Sequence, residues 1–399
     1  MDFDLPSDHR PLFVLAFGAA LACFVSIAVS HILLGASVGY LLLYRDRARI
    51  PRVWIPVAVF FGATLLSAAM SPDPAAAWPQ IRKFYVWLFL PVVYSGIRRA
   101  ADARRLMLGF AICGTASALW GLVQFARKYE RAMSRHEDFY QAYVGDRITG
   151  FMSHWMTFAS HLMIAFLIVA ALVLLAKDRR RGVATGAWVG AGAVLSAGLV
   201  LGFTRSIWPA TAAGLVYVVW HWRRWFVLAL PLLGAGAIVM APEPVNRRIE
   251  SAWKPSNLDS NDHREALRRT GLAMIAAHPW TGVGPEEVGP RFLEFAPEGV
   301  PRPLPKEWYT QHLHNIYVHF AAERGIPALA GLLGFLGLAV WRLARAKPPP
   351  EYRFIPLAAV ASIIGILVGG YWEVNLGDSE VLGALLAVIA CGFVAGEER

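Results

Sequence analysis

The chain reads as a succession of about twelve apolar runs separated by short polar breaks. They lie near 12–29, 32–44, 53–70, 84–97, 106–126, 151–176, 183–203, 207–221, 225–241, 325–341, 354–371 and 381–396. A helix needs roughly 20 mostly apolar residues to cross a bilayer. Most of the runs approach that length, while those at 32–44, 84–97 and 207–221 are short. The pattern predicts an all-α polytopic membrane protein with about 12 transmembrane helices. The first run could pass for a signal peptide, but its leader is acidic (Asp2, Asp4, Asp8) and no cleavage-like site follows, so it reads as a retained helix.

Two polar stretches are longer than simple turns, 127–150 and 242–313. The larger is rich in Pro and Gly but contains one helix-like segment, Arg264 to Ala277. There Leu267, Gly271, Met274 and Ile275 share a face, and His278-Pro279 ends the helix. The chain thus divides into residues 1–241 with nine spans, a loop domain at 242–313, and residues 314–399 with the last three spans. A loop of this size is more often functional than a passive connection.

Composition agrees with the pattern. Hydrophobic residues make up 56% and charged residues 17%, against about 45–50% and 25% in soluble domains. A soluble enzyme, a disordered chain and a disulfide scaffold are excluded for the bulk of the protein. Cys23, Cys113 and Cys391 all sit in apolar runs, which offers neither a disulfide framework nor a thiolate metal site.

The net charge of +10 is mostly a topology signal. With the N-terminus inside, the inner segments hold 20 of the 38 basic residues: Arg10, Arg45, Arg47, Arg49, Arg52, Arg98, Arg99, Arg104, Arg105, Lys177, Arg179, Arg180, Arg181, Arg223, Arg224, Arg342, Arg345, Lys347, Arg353 and Arg399. The four short outer loops hold only Arg82, Lys83 and Arg205. This is the positive-inside bias. It puts both termini in the cytoplasm and the large, near-neutral loop outside, and it removes nucleic acid as an expected partner.

Candidate chemistry gathers on the outer side. His312, His314 and His319 close the large loop and open the tenth span. A His at this edge suits a general base, since its charge changes near working pH; a packed His at a helix start is the plain alternative. His312 and His319 would share a helix face, but HExxH is absent and no metal site is expected. Arg205 is the only charge between the seventh and eighth spans. A guanidinium there could grip phosphate oxygens bidentately or simply snorkel to headgroups. Arg264, Arg268 and Arg269 open the loop helix, where an anion could also meet free backbone N–H groups; for Arg268 and Arg269 a solvated face explains as much. Arg82-Lys83 could hold lipid phosphate or act as an interfacial anchor. Gly282-Val-Gly284 lacks the rest of a phosphate-binding glycine loop and reads as a tight turn. The tryptophans near span ends (Trp78, Trp208, Trp253, Trp280, Trp308 and Trp372) read mostly as an interfacial belt.

Taken together, these segments resemble the O-antigen ligase family and the related O-antigen polymerases. His314-Asn315, nine residues, then Gly325-Ile-Pro-Ala328 resembles the ligase motif, with Ala328 where Gly, Thr or Tyr is usual. Arg264-Glu-Ala-Leu followed by His278-Pro-Trp-Thr-Gly282-Val-Gly284 resembles the family's loop signature, with Arg268 where an aromatic is common. Thr204-Arg205-Ser206 is similar to its Ser/Thr-Arg-Ser turn, and Gly150-Phe-Met-Ser-His154-Trp155 to its approach to the sixth span.

The resemblance implies a metal- and nucleotide-independent glycosyltransferase at the periplasmic face of a bacterial inner membrane. It would move O-antigen from undecaprenyl pyrophosphate to a sugar hydroxyl of the lipid A-core oligosaccharide, with inversion. His314 would be the general base, Arg205 and Arg264 would stabilise the pyrophosphate, and Arg82, Lys83, Asn315, His278 and His154 would bind substrate or membrane lipid. Polymerases and protein O-oligosaccharyltransferases share the donor. Polymerases typically lack the His-Asn-x9-Gly arrangement, and protein ligases usually carry a longer C-terminal outer region. A transporter or flippase would instead show midplane charges and an internal repeat, and neither is evident.

Overall fold

In a computed structural model of the protein, residues 10–176, 183–251 and 261–398 are described. The acidic leader, the basic cluster at 177–181, Trp253 and Arg399 fall outside them. Among the described residues every regular element is helical. In chain order they are α1 (Arg10–Ala22), α2 (Ile27–Leu43), α3 (Trp54–Ala69), α4 (Trp78–Arg82), α5 (Phe89–Gly96), α6 (Ala100–Ser134), α7 (Phe139–Gly145), α8 (Trp155–Leu175), α9 (Val183–Leu201), α10 (Ile207–Arg223), α11 (Leu230–Val239), α12 (Glu243–Glu250), α13 (Asn261–Ala277), α14 (Phe292–Phe295), α15 (Ile316–Ala344), α16 (Phe354–Gly369) and α17 (Ser379–Glu397).

Each apolar run coincides with helix, but the count of about twelve crossings is not established. Among the described residues, four helices are long and apolar enough to cross a membrane: α6, α8, α15 and α17. Others are shorter, such as α1 with 13 residues, which at 1.5 Å per residue reaches about 20 Å of a core roughly 30 Å thick. Ser26 explains the first difference from the expected spans. Its side chain caps the start of α2 by accepting from the Val29 N–H, so the break falls at 23–26, inside the run expected to form one helix. The fourth run is divided as well, into a 3-10 segment at Lys83–Leu88 followed by α5.

Helices that are apolar all round belong in the interior, and α8, α16 and α17 are buried along most of their length. Around them pack α5, α6 and α10, and α15 lies along α3. At the periphery, large apolar side chains such as Ile32, Leu43, Leu66, Leu232, Leu233 and Val239 are exposed. In water a belt of this extent would be a liability; against lipid tails it is the expected outer surface.

The large loop has a core of its own. Leu267 and Met274 of α13 pack with Val283, Val288, Phe292 and Leu313, and Ala322 of α15 completes the cluster. The loop helix begins three residues earlier than Arg264, at Asn261, and ends at Ala277 as the His-Pro pair predicts. The loop is therefore a small packed layer seated on the first turns of α15.

Candidate active site

The loop is locked to α15 by a break in that helix. Gly325 has φ 84° and ψ 163°, a conformation essentially confined to glycine. A break frees carbonyls that a continuous helix would have bonded, and the glycine-containing loop after His278 supplies their partners. Val283 N–H donates to the Ala322 carbonyl (2.8 Å), Gly284 N–H to that of Glu323 (3.0 Å), and Ile326 N–H to that of Pro279 (2.8 Å). A Cβ on Gly325 would lie 2.3 Å from the Trp280 carbonyl oxygen, and one on Gly282 would lie 2.5 Å from Arg324 N. Gly282, Gly284 and Gly325 are thus two halves of one backbone joint. His278 belongs to it: its carbonyl accepts from Gly282 N–H and its ring meets Phe295 edge-on. The contacts of His278 lie in the loop layer, not at the pocket described next.

Near the start of α15 is an open pocket with about 520 Å³ of empty space. Its walls include His154, Thr204, Ser206, His312, Glu373 and Asp378. Three of these residues stand at helix N-caps: His154 for α8, Ser206 for α10 and Asp378 for α17. His314 and the Asn315 cap of α15 adjoin it. Helix N-termini carry partial positive charge and unbonded N–H groups, each favouring a nearby anion by about 0.3–1 kcal/mol. Their convergence suits a phosphate-bearing ligand.

His314 is held in the left-handed region (φ 47°), which is uncommon for any residue but glycine. Its Nδ1 lies 3.0 Å from Glu373 Oε2. With Nδ1–H donating to that carboxylate, the neutral imidazole has its free lone pair on Nε2. The other oxygen of Glu373 is 3.7 Å from the Arg264 guanidinium. The neighbouring Asn315 does two structural jobs: its side-chain oxygen accepts from the N–H groups of Tyr317 and Val318, and its amide donates to the Tyr371 carbonyl.

Further histidines crowd His314. The His312 ring meets it edge-on at 4.4 Å between centroids, and His263 lies at 6.3 Å. Burial, then the neighbouring imidazoles, push the His312 pKa down to about 3, so that ring is neutral at working pH. Burial also lowers His263 and His154. His319 approaches Glu323 at 3.9 Å, and Glu323 pairs with Arg324 at 2.7 Å in the buried part of α15. Among the described residues, no group of three or more His, Cys, Asp or Glu side chains is arranged to hold a metal ion.

The arginines separate by their partners. Arg268 and Arg269 both bind Glu265 at 2.7 Å, which holds that carboxyl at about pKa 2. Arg264 instead approaches Glu373, which lines the pocket. Arg205 donates to Ser251 Oγ (2.8 Å), behind a wall whose lining comes from its neighbours Thr204 and Ser206. The turn before it places Phe203 at φ 50°. Buried Arg248 donates to the Phe203 carbonyl at 3.0 Å and so supports that turn. Lys83 lies elsewhere, donating to the Gly377 carbonyl and lining a second, largely apolar cleft with Phe60, Trp87 and Arg324. Arg82 is exposed and lines neither pocket.

His314, Arg264, His154 and the Thr204–Ser206 turn are therefore brought together; His278, Arg82 and Lys83 are not. Glu373, Asp378 and Arg248 belong to no motif legible in the sequence. Glu373 follows two aromatic residues in the break after α16, and the only hint there was an acidic residue beside an expected span end.

Residues 190–333 match the family model described as O-antigen ligase. That stretch runs from α9 through the loop into α15, and it contains Arg205, Arg264, His278, His314 and Asn315. No curated protein matches the chain.

Proposed function

We propose that this chain, whose residues 190–333 match the O-antigen ligase family, is an O-antigen ligase. It transfers a finished glycan from undecaprenyl pyrophosphate to a sugar hydroxyl of the lipid A-core oligosaccharide, at the periplasmic face of the bacterial inner membrane. The family match supports the coarser statement, glycan transfer of the ligase or polymerase type. One observation supports the finer one: segments far apart in sequence bring a His with a carboxylate partner and a guanidinium to a pocket ringed by helix N-termini.

In this reading the acceptor hydroxyl oxygen attacks the anomeric carbon from the side opposite the pyrophosphate. Its proton passes to His314 Nε2 as the new C–O bond forms. The bond to the pyrophosphate breaks with its electron pair on the leaving oxygen, and the anomeric configuration inverts. Arg264, Arg205 and the N-termini of α8, α10 and α15 stabilise the charge on the departing pyrophosphate. His312, neutral at working pH, leaves that charge to the guanidinium groups and helix N-termini.

The test is complementation in bacteria that make undecaprenyl-linked O-antigen but lack their own ligase. Expression of this chain should shift lipid A-core to a glycan-capped species on a gel. Longer carrier-linked chains with the core uncapped would identify a polymerase instead.

A further inference from the structure

Glu373 is not on any helix. It lies in the nine-residue segment between Gly369 and Ser379, well outside the residues 190–333 that match the family. That segment is fastened along its length. Ile316 N–H donates to the Gly370 carbonyl (2.7 Å), and the Asn315 amide to that of Tyr371 (2.9 Å). The Asn375 amide donates to the Ile366 carbonyl (3.0 Å), and Thr157 Oγ1 donates to Asp378 (2.6 Å). Its side chain is only 11% exposed, against 23% for His314 and 44% for Arg264. A carboxylate so fixed, with one oxygen on His314 Nδ1 and the other facing Arg264, can set the position of both.

We propose that Glu373 is the positioning residue of this site: it fixes the imidazole of His314 with Nδ1 protonated and Nε2 free, and holds Arg264 of the loop helix over the same pocket. The inference rests on the reading of His314 as general base. An imidazole can carry its single proton on either nitrogen, and only the form with Nε2 unprotonated can accept from the acceptor hydroxyl. Glu373 selects that form because its carboxylate accepts and cannot donate. As the proton arrives on Nε2, the imidazolium that forms stays beside a negative charge, so the stabilisation develops with the reaction. Arg264 ties the same carboxylate to α13, so the base adopts its working orientation with the loop layer seated.

The experiment compares steady-state transfer by the purified full-length wild type, Glu373→Gln, Glu373→Asp and His314→Ala, with thermal melts in detergent as a check on folding. The glutamine amide can present N–H to Nδ1 and so favours the unproductive imidazole form. Glu373→Gln should melt close to the wild type and lose about 10²–10⁴-fold in kcat, with the donor KM changed by no more than about three-fold. Glu373→Asp restores the carboxylate and should recover at least about ten-fold over the glutamine variant. Loss by the same factor in both variants, or kcat in Glu373→Gln within about three-fold of the wild type while His314→Ala is inactive, would overturn the inference and leave the base assignment standing. An active His314→Ala would remove both.

Discussion

His314 and Arg264 are fifty positions apart, yet both reach one carboxylate, and this contact makes sense of each. A histidine without an orienting partner is a poor base candidate; with Nδ1 committed to Glu373 at 3.0 Å it has a defined free nitrogen. His314→Ala should therefore cost about 10²–10⁴-fold in transfer at normal expression, and near-wild-type transfer would remove the assignment. Arg205→Lys should lose about 10²–10³-fold if a planar fork is needed, because Lys offers a point charge only; unchanged transfer would reduce Arg205 to a structural tie to Ser251. His312 supplies a pH prediction. Its pKa falls from about 6.5 when unfolded to about 3 when folded, so the folded state binds fewer protons between those values. Its contribution to stability is present above about pH 6.5 and is lost as the pH drops toward 3. His312→Asn should narrow the difference between melting temperatures at pH 7.5 and pH 5, and an unchanged difference would contradict this. At this scale the sequence marked His314, Arg264 and Arg205 by residue type and spacing. It could not mark Glu373, whose role comes from a chain reversal across α15 and α16 that no local pattern records.

The broken helix α15 is the element on which the site depends. The nine residues between the His314-Asn315 pair and Gly325 set how far the base lies from the joint, and the joint decides where the loop sits. In the sequence alone Gly282-Val-Gly284 reads as a tight turn and Gly325 as part of a motif. The pairing of the two was hidden because it is a backbone contact between segments about forty residues apart. Gly325→Ala would force a Cβ to within 2.3 Å of the Trp280 carbonyl at φ 84°. It should destabilise the loop layer by at least roughly 1–3 kcal/mol, seen as a lower melting temperature and faster proteolysis within 264–313. A variant as resistant as the wild type would mean that the loop is held elsewhere. The apolar runs were legible as helices because burial in lipid leaves no other economical use of the backbone. Their ends were less so: Ser26 as a cap and the 3-10 turn at Lys83–Leu88 cut runs that hydrophobicity alone joins.

Across the whole molecule, the helix N-termini around the pocket, the loop layer and the reactive side chains gather at one end of the apolar body. The bias of Lys and Arg predicts that this end faces outside. On a background with Cys23, Cys113 and Cys391 changed to Ala, the exposed loop position Glu298→Cys should react with a membrane-impermeant maleimide in intact cells permeable only at the outer membrane. Arg345→Cys, exposed just beyond α15, should react only after lysis. The opposite pattern would invert the protein and put the pocket on the cytoplasmic side. On the proposed reading, transfer at such an interface would gain from poor hydration, since each fixed donor would act more strongly on pyrophosphate charge than in bulk water.

The most direct test of the account is a reaction with few components. Purified protein in detergent and EDTA is given undecaprenyl-pyrophosphate-linked glycan, with and without lipid A-core, and the glycolipid products are sized on a gel. The account predicts a capped lipid A-core species that forms only when core is present and is absent with His314→Ala. Longer undecaprenyl-linked chains with the core untouched, or a capped product that persists in His314→Ala, would contradict it.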